Sequence, residues 1–202
     1  GQGFSKAKYS AKIAAGFLFL ALNPLRLKTL LDQNQLNITL QRLAHQLVEN
    51  HSDFNNTVVI GLQPRGIWLS DRIVTLLREI TGNDRIDYGR LDITFYRDDV
   101  HQSGSLQVPS QTDISFSVEG KAVILIDDVL HTGRTIRAAM DALLDFGRPD
   151  HVELLVLIDR HYSRELPIQP DYVGQVVDTI ITQKVKVLWA EKDGKDEVVL
   201  LD

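Results

Sequence analysis

Two adjacent acids and the short turn after them are the residues in this chain whose types and spacing best suit chemistry. Asp127 and Asp128 follow a run of aliphatic residues, and the turn contains Thr132, Gly133 and Thr135. Carboxylates accept hydrogen bonds, as a pair of sugar hydroxyls requires, whereas threonine hydroxyls can donate to a phosphate. Glycine lets the backbone approach an anion closely. The spacing therefore predicts a clamp for a ribose 5-phosphate.

The pattern on either side of these residues predicts a strand that leads into a helix. Residues 123–126 form a short aliphatic run, typical of a buried parallel strand, and an amphipathic helical pattern then continues to Gly147. Open α/β sheets bind ligands at the carboxyl ends of their strands, and a helix N-terminus attracts phosphate. The plain alternative is a strand, turn and helix whose two acids only cap the helix.

The chain from Leu36 onward predicts further strands and helices in alternation. We expect helices over 36–48, with Asn37 as the candidate N-cap, and over 67–80, ended by Gly82. We expect strands over 57–62, 88–96 and 152–158, an irregular segment over 170–181, and a hairpin of 184–190 and 197–201 around Asp193-Gly194. Strands that alternate with helices imply an α/β fold with a parallel sheet.

A second candidate for anion binding is the turn between the strand 57–62 and the helix after it. Backbone N–H groups and a guanidinium at such a turn suit a pyrophosphate, although a turn of this kind on its own is usually only a turn. Its four residues are Gln63, Pro64, Arg65 and Gly66.

The long polar stretch 97–116 is a candidate lid. Loops of this length are uncommon in compact domains unless they close over a site. Arg97, at its start, would then reach the pyrophosphate when the lid closes; a strand with a solvated, charged end is the alternative.

Composition indicates one ordinary globular domain. The chain has 202 residues, the length of one domain. It has no cysteine, which excludes disulfides and thiolate chemistry. Its formal net charge of −5 argues against a general nucleic-acid coat protein. The first 27 residues differ, because lysines precede an apolar stretch over 13–22 that lacks a signal-peptide cleavage pattern and is too short to span a bilayer. We interpret residues 1–30 as an upstream extension, an added packing segment or, third, a targeting signal, and residues 31–202 as the main domain.

The chain from about Leu36 to Leu201 resembles the family of bifunctional pyrimidine operon attenuation proteins and uracil phosphoribosyltransferases. The similar stretches are QRLAHQL, GLQPRGIWL, DITFYRDD, VILIDDVLHTGRTIRAAMDALLDFGRP and DRHYSRELPIQPDYVG. The resemblance implies the type I phosphoribosyltransferase fold, with a central, mostly parallel, twisted sheet flanked by helices, a small hood segment and a C-terminal β-hairpin. It also implies a cytoplasmic homodimer or higher homo-oligomer that does not bind membranes.

The resemblance implies that uracil reacts with phosphoribosyl pyrophosphate (PRPP) to give UMP and pyrophosphate. Mg²⁺ would arrive on PRPP, without a metal cage of protein side chains. The catalytic residues would be Arg97, Asp127 and Asp128, and the turn 63–66 would bind pyrophosphate. The ribose and 5-phosphate would contact the two acids and His131, Thr132, Gly133, Arg134 and Thr135, whereas the base would contact Asp159, Arg160, Val176 and Val177.

A regulatory role is also implied, in which a leader-mRNA hairpin of the pyrimidine operon binds under the control of UMP or UTP. The candidate RNA contacts are Arg42, His45, Arg160 and Arg164. His45 falls near the apolar stripe of its predicted helix, where a histidine is more often packed than functional. DRHYSREL is one residue longer than the matching family segment, a departure that bears on the RNA role more than on the catalytic fold. Because the loops needed for PRPP are intact in each case, a nucleotide-sensing RNA regulator with little activity and a purine-base phosphoribosyltransferase stay as alternatives.

Overall fold

The apolar runs of the sequence become the strands of one central parallel sheet. The computed structural model describes residues 27–98, 111–180 and 182–202, so the apolar stretch 13–22 and most of the expected lid lie outside the described residues. The strand order of the parallel sheet is β3-β2-β4-β5-β6. Its strands are β2 Thr57–Leu62, β3 Tyr88–Leu91, β4 Ala122–Leu130, β5 His151–Arg160 and β6 Tyr172–Val177.

Both faces of the sheet are covered, which explains why the inner strands β2 and β4 are continuous apolar runs rather than alternating ones. Every residue of β2 is buried, and β4 is almost as fully buried. The helices are α1 Gln33–His51, α2 Gly66–Thr81, α3 Arg134–Leu143 and the short α4 Ala190–Asp193. One apolar cluster joins the sheet to α1 and α2, and a second joins its other face to α3. No helix in the described part of the chain is long and apolar enough to cross a membrane.

Helix α1 begins earlier than its apolar pattern predicts, and Asn37 lies inside it rather than at its N-cap. Asp32 caps the helix: its carboxylate accepts from the Gln35 N–H at 2.8 Å, while the Gln35 side chain accepts from the Asp32 N–H at 3.0 Å. This reciprocal arrangement satisfies two backbone donors, which favours Asp32 over Asn37. Helix α2 ends as predicted at Gly82, whose φ of 66° lies in the left-handed region.

Two predicted segments differ from the structure. The expected strand 88–96 stops at Leu91, because the Asp92 carboxylate accepts from the Thr94 N–H and hydroxyl and turns the chain into a 3-10 helix at Thr94–Tyr96. The segment 170–181, expected to be irregular, contains β6. Gly174 makes that strand possible, since a Cβ there would lie 2.4 Å from the Leu157 carbonyl oxygen.

A small antiparallel sheet, which we call the hood, packs beside the parallel one. It consists of β1 Leu27–Leu31, β8 Glu197–Leu201 and β7 Lys184–Leu188, in the order β1-β8-β7. The predicted C-terminal hairpin is confirmed, but its first strand ends at Leu188, two residues before the predicted end, and the short α4 lies in the connection. Strand β1 was not predicted from the sequence; it pairs with β8 and leads directly into α1.

Candidate active site

The two acids lie within the last four residues of β4, where the strand runs between β2 and β5. The strand continues to Leu130, beyond the predicted end, and both acids are buried, with 8% of Asp127 and 4% of Asp128 exposed. Arg65 donates from Nε to the Asp128 carboxylate at 2.8 Å, and the Asp128 N–H donates to the Asp127 carboxylate at 2.9 Å. The structure therefore joins the acid pair to the turn 63–66.

Burial controls the protonation of this pair. Removal from water raises the pKa of Asp127 well above its ordinary value, and the neighbouring charge of Asp128 raises it further. Burial also raises the pKa of Asp128, but the Arg65 guanidinium opposes that effect. Such carboxylates gain from any ligand that supplies hydrogen-bond donors or positive charge.

The turn after β4, residues 131–135, forms what we call the phosphate loop. Gly133, at the N-cap of α3, has a φ of 92°, a conformation that other residues rarely adopt. A cavity of about 230 Å³ is lined by the whole loop together with Arg97 and Asp127. Because the first N–H groups of a helix lack intrahelical partners, the start of α3 suits an anion in this cavity.

Neighbouring side chains brace the phosphate loop. Arg97 donates from Nη1 to the Thr135 hydroxyl at 3.4 Å. Arg134 forms ion pairs with Asp98 at 2.7 Å and with Glu165 at 2.6 Å. These contacts join the start of the expected lid and the segment after β5 to the same loop.

The turn 63–66, which we call the pyrophosphate loop, packs directly against β4. Gly66 permits this approach, because a Cβ there would lie 2.5 Å from the Ile126 carbonyl oxygen and 3.0 Å from the Asp127 Cα. A central cavity of about 390 Å³ lies between this loop and the acid pair. It is lined by Gln63, Pro64, Arg65, Arg97, Asp127, Asp128, Val129, His131, Thr135, Arg160, Lys184 and Val185.

The charges around the central cavity suit a polyanion. Among the residues that the structure describes, four cationic side chains line it, against two carboxylates whose pKa values are raised. His131 adds no full charge at neutral pH, because burial and then the nearby Arg160 charge lower its pKa. A larger depression of about 530 Å³ lies between α1 and α2. Its volume is greater, but the predicted chemical groups converge on the central cavity, so we place the site there.

Two residues of the hood, Lys184 and Val185, line the central cavity and were missed by the sequence reasoning. The local pattern around them predicts only a hairpin strand. Arg65 bridges the two sheets, since it also donates from Nη2 to the Val187 carbonyl at 3.0 Å. The hood therefore covers the cavity through contacts between residues more than a hundred positions apart in the chain. A local sequence motif cannot predict such contacts.

The four predicted base contacts lie on adjacent strand ends. Asp159 pairs in register with Val176, and Arg160 pairs with Val177. Arg160 lines the central cavity and donates to the Thr179 hydroxyl and the Gln183 carbonyl, both at 2.9 Å. The Asp159 carboxylate is buried and accepts a hydrogen bond from Arg164.

The four predicted RNA contacts divide into two groups. Arg42 and His45 are exposed on α1, so the alternative in which His45 is packed does not hold. Arg42 donates to the carbonyls of Val173 and Gly174 on β6, at 3.0 and 2.6 Å. Arg160 and Arg164 differ in that their side chains are largely buried, with the guanidinium groups in hydrogen bonds inside the fold.

The acid pair is chemically suited to Mg²⁺ that is bound to a phosphorylated substrate. Mg²⁺ prefers oxygen ligands and is commonly held by one or two carboxylates together with substrate phosphates and water. Asp127 and Asp128 supply such oxygens at the wall of the central cavity. Within residues 27–98, 111–180 and 182–202, no cluster of three or more acidic or histidine side chains is arranged to hold a metal.

Comparisons with known proteins agree with this geometry. The phosphoribosyl transferase domain family matches residues 26–192. A bifunctional protein PyrR from Elusimicrobium minutum is 47% identical and aligns over 86% of this chain and 96% of its own length. Another from Desulfosudis oleivorans is 49% identical, over 84% of this chain and 93% of its own.

Solved structures show the same fold at low sequence identity. A hypoxanthine phosphoribosyltransferase from Staphylococcus aureus superposes with a TM-score of 0.60 at 20% identity, covering 78% of this chain and 81% of its own. One from Trypanosoma cruzi gives 0.67 at 18% identity, covering 88% and 96%. The chain therefore belongs to the phosphoribosyltransferase family and, within it, to the group of relatives named bifunctional protein PyrR.

Proposed function

We propose that this protein is a uracil phosphoribosyltransferase, which transfers the phosphoribosyl group of PRPP to uracil and yields UMP and pyrophosphate. The observation that carries the proposal is the convergence of the acid pair, the phosphate loop and the pyrophosphate loop on adjoining cavities. A sugar that carries a phosphate at one end and a pyrophosphate at the other needs these three groups together.

Each group has a separate task in binding PRPP. Asp127 and Asp128 accept hydrogen bonds from the two ribose hydroxyls, which compensates their burial. Thr132, Gly133 and Thr135 bind the 5-phosphate through hydroxyl and backbone donors at the start of α3. Held at both ends, the ribose presents C1 to a base in the central cavity.

In the displacement, a uracil nitrogen bonds to C1 and gives up its proton to water or to the departing pyrophosphate, while the bond between C1 and the pyrophosphate oxygen breaks. Positive charge develops on the ribose and negative charge on the leaving group. Arg65, Arg97 and the backbone donors of residues 63–66 stabilise the leaving pyrophosphate, and they are most effective in a cavity shielded from water. Mg²⁺ carried by PRPP would supply further charge stabilisation on the leaving group, with Asp127 and Asp128 offering it carboxylate oxygens.

The base would lie at the ends of β5 and β6, beneath the hood. Arg160 is the best placed of the predicted base contacts because it lines the central cavity. The other three predicted base contacts lie beside it at the strand ends but do not line the cavity, and the Asp159 carboxylate is engaged by Arg164. Val185 supplies an apolar surface from the hood side.

Product identification tests the proposal. The protein is incubated with PRPP and Mg²⁺ and with uracil, hypoxanthine or guanine in separate reactions, and the nucleotide formed is identified by mass spectrometry. We expect UMP from uracil alone. A purine nucleotide instead of UMP would assign the protein to purine-base transfer, and no nucleotide from any base would favour a regulator with little activity.

A second function, nucleotide-dependent binding of a leader RNA, has one supporting observation on this chain. Arg42 and His45 are exposed on the same helix, three positions apart, and therefore lie on neighbouring parts of its surface. The relatives carry the word bifunctional in their name. We propose that α1 supplies part of an RNA-binding face.

A further inference from the structure

Arg164 lies in the segment after β5 and is turned into the protein, with only 18% of its side chain exposed. Its guanidinium donates hydrogen bonds to the Asp159 carboxylate and to several backbone carbonyls. The carbonyls, with their distances, are those of Leu130 at 3.2 Å, His131 at 2.5 Å, Arg160 at 3.3 Å and Ile168 at 2.9 Å.

Two of these carbonyls lie where β4 passes into the phosphate loop, on the last strand residue, Leu130, and the first loop residue, His131. Immediately after Leu130 and His131, the Thr132 carbonyl accepts from the Glu165 N–H at 3.0 Å and the Leu166 N–H at 3.1 Å. Three successive carbonyls, the last of β4 and the first two of the loop, are thus held by the segment that Arg164 anchors.

Holding those carbonyls also fixes the donors that a phosphate would use. A peptide unit is planar and trans, so its N–H points opposite to its C=O. With the carbonyls of residues 130–132 held on one side, the N–H groups of residues 131–133 are fixed toward the other. These N–H groups belong to the loop that lines the 230 Å³ cavity.

We propose that Arg164, oriented by the buried carboxylate of Asp159, is a positioning residue that sets the phosphate loop for binding the 5-phosphate of PRPP. The inference rests on the proposed function and deepens it. It gives Arg164 a task in substrate binding that differs from contact with RNA. A guanidinium suits this task because its planar fork of five donors can serve several acceptors at once, whereas a lysine ammonium has three donors on one atom.

Steady-state kinetics of Arg164→Met, Arg164→Lys and Asp159→Asn test the inference. We expect KM for PRPP to rise about tenfold or more in Arg164→Met, because a misplaced binding group weakens transfer steeply. KM for uracil should stay within about twofold in the two Arg164 variants. KM for PRPP in Arg164→Lys and Asp159→Asn should lie between those of wild type and Arg164→Met. A merely structural role would lower the amount of active enzyme, and therefore the apparent kcat, without changing KM for PRPP.

Arg78→Lys is the matched control. Arg78 is also half-buried and donates to a backbone carbonyl, that of Ile86, but it lies in the last turn of α2, about 18 Å along the helix from Gly66. It should lose stability while keeping KM for PRPP. If Arg164→Met does not fold, Arg164→Lys and Asp159→Asn carry the comparison.

Titration with ribose 5-phosphate separates this inference from the proposed reaction. Wild type should bind it about tenfold more tightly than Arg164→Met does. A wild-type protein that converts uracil, together with an Arg164→Met variant whose KM for PRPP is unchanged, would overturn the positioning role alone. A wild-type protein that makes no UMP but binds ribose 5-phosphate in an Arg164-dependent way would overturn the reaction and leave the positioning role standing.

Discussion

At the scale of single residues, the acid pair on β4 is placed where it serves binding and opposes folding. Asp127 and Asp128 are both buried, and burial raises the pKa of each, so their ionised forms are disfavoured in the free protein. A ligand with hydroxyl donors or Mg²⁺ reverses that penalty. The pair is a site at which stability and activity should respond to mutation in opposite directions.

The first prediction concerns stability. The pKa of Asp127 is higher in the folded than in the unfolded protein. At a pH between these two pKa values the folded state binds more protons, so stability falls as pH rises through this range. Asp127→Asn keeps the oxygen that accepts from the Asp128 N–H and removes the charge. We expect the variant to be more stable than wild type at pH 7 by about 1 kcal/mol. A gain of this size is common when a residue that serves function at the expense of stability is replaced. Urea unfolding at pH 7 and at pH 4 measures this, and a variant less stable than wild type at pH 7 would contradict it.

The second prediction concerns activity. Asp128→Asn and Thr135→Val each remove one polar contact to PRPP while nearly preserving shape. We expect each to lower uracil-dependent pyrophosphate release about a hundredfold, the usual loss when one preorganised polar group is removed. Asp141→Asn on the exposed side of α3 and Thr75→Val on α2 are the matched controls. Unchanged release in both site variants would show that the assignment of the clamp is wrong.

At the scale of elements, the site depends on how closely the start of α2 approaches β4. Gly66 allows that approach, and Arg65 just before it reaches Asp128. The pyrophosphate loop and the acid pair therefore form one unit only while helix and strand remain in contact. A side chain inserted between them would separate the two halves of the PRPP site.

The third prediction is the effect of that insertion. Gly66→Ala places a methyl group 2.5 Å from the Ile126 carbonyl oxygen, so helix and strand must move apart. We expect a loss of about 2–3 kcal/mol in the free energy of unfolding, as for other overpacked sites, and at least a roughly tenfold fall in kcat/KM for PRPP. Gly82→Ala is the control, because it meets no atom within 4 Å and strains only its φ of 66°, which costs about 1 kcal/mol. Gly66→Ala with wild-type kinetics would rule out the close contact as a requirement.

At the scale of the whole molecule, the net charge of −5 restricts how RNA could bind. Binding would need one local basic face, since the protein as a whole repels a polyanion. The structure narrows the predicted RNA contacts to Arg42 and His45, which are exposed. The guanidinium groups of Arg160 and Arg164 form hydrogen bonds inside the fold.

The fourth prediction follows from that restriction. The affinity for the leader RNA of the protein's own pyrimidine operon should fall by roughly 0.7–0.9 log units per log unit of salt for each phosphate contact. Arg42→Ala and His45→Ala should weaken binding and spare uracil conversion, and UMP should strengthen binding through reciprocal linkage. Arg85→Ala, an exposed arginine beyond the end of α2, is the matched control. No binding at low salt, with or without UMP, would leave the enzyme function alone.

The sequence by itself determined the elements whose signals are local. Fewer than fifteen consecutive residues specify each of three features: the apolar run into Asp127 and Asp128, the Thr/Gly turn after it, and the Pro-Arg-Gly turn. Strand β2 matches its prediction, because burial on both faces requires a continuous apolar run. The end of α2 matches as well, because the left-handed conformation at Gly82 favours glycine. The fold class followed from the alternation of such elements.

The tertiary structure alone decided which distant residues meet. Lys184 and Val185 reach the central cavity because the hood packs over it, and Arg164 reaches the phosphate loop because β5 lies beside β4. Strand β6 is recognisable only from its pairing with β5, and His45 is exposed although its helix position suggested burial. Local patterns encode the periodicity and turns of each segment. Contacts between segments depend on packing and strand order, which arise from the chain as a whole.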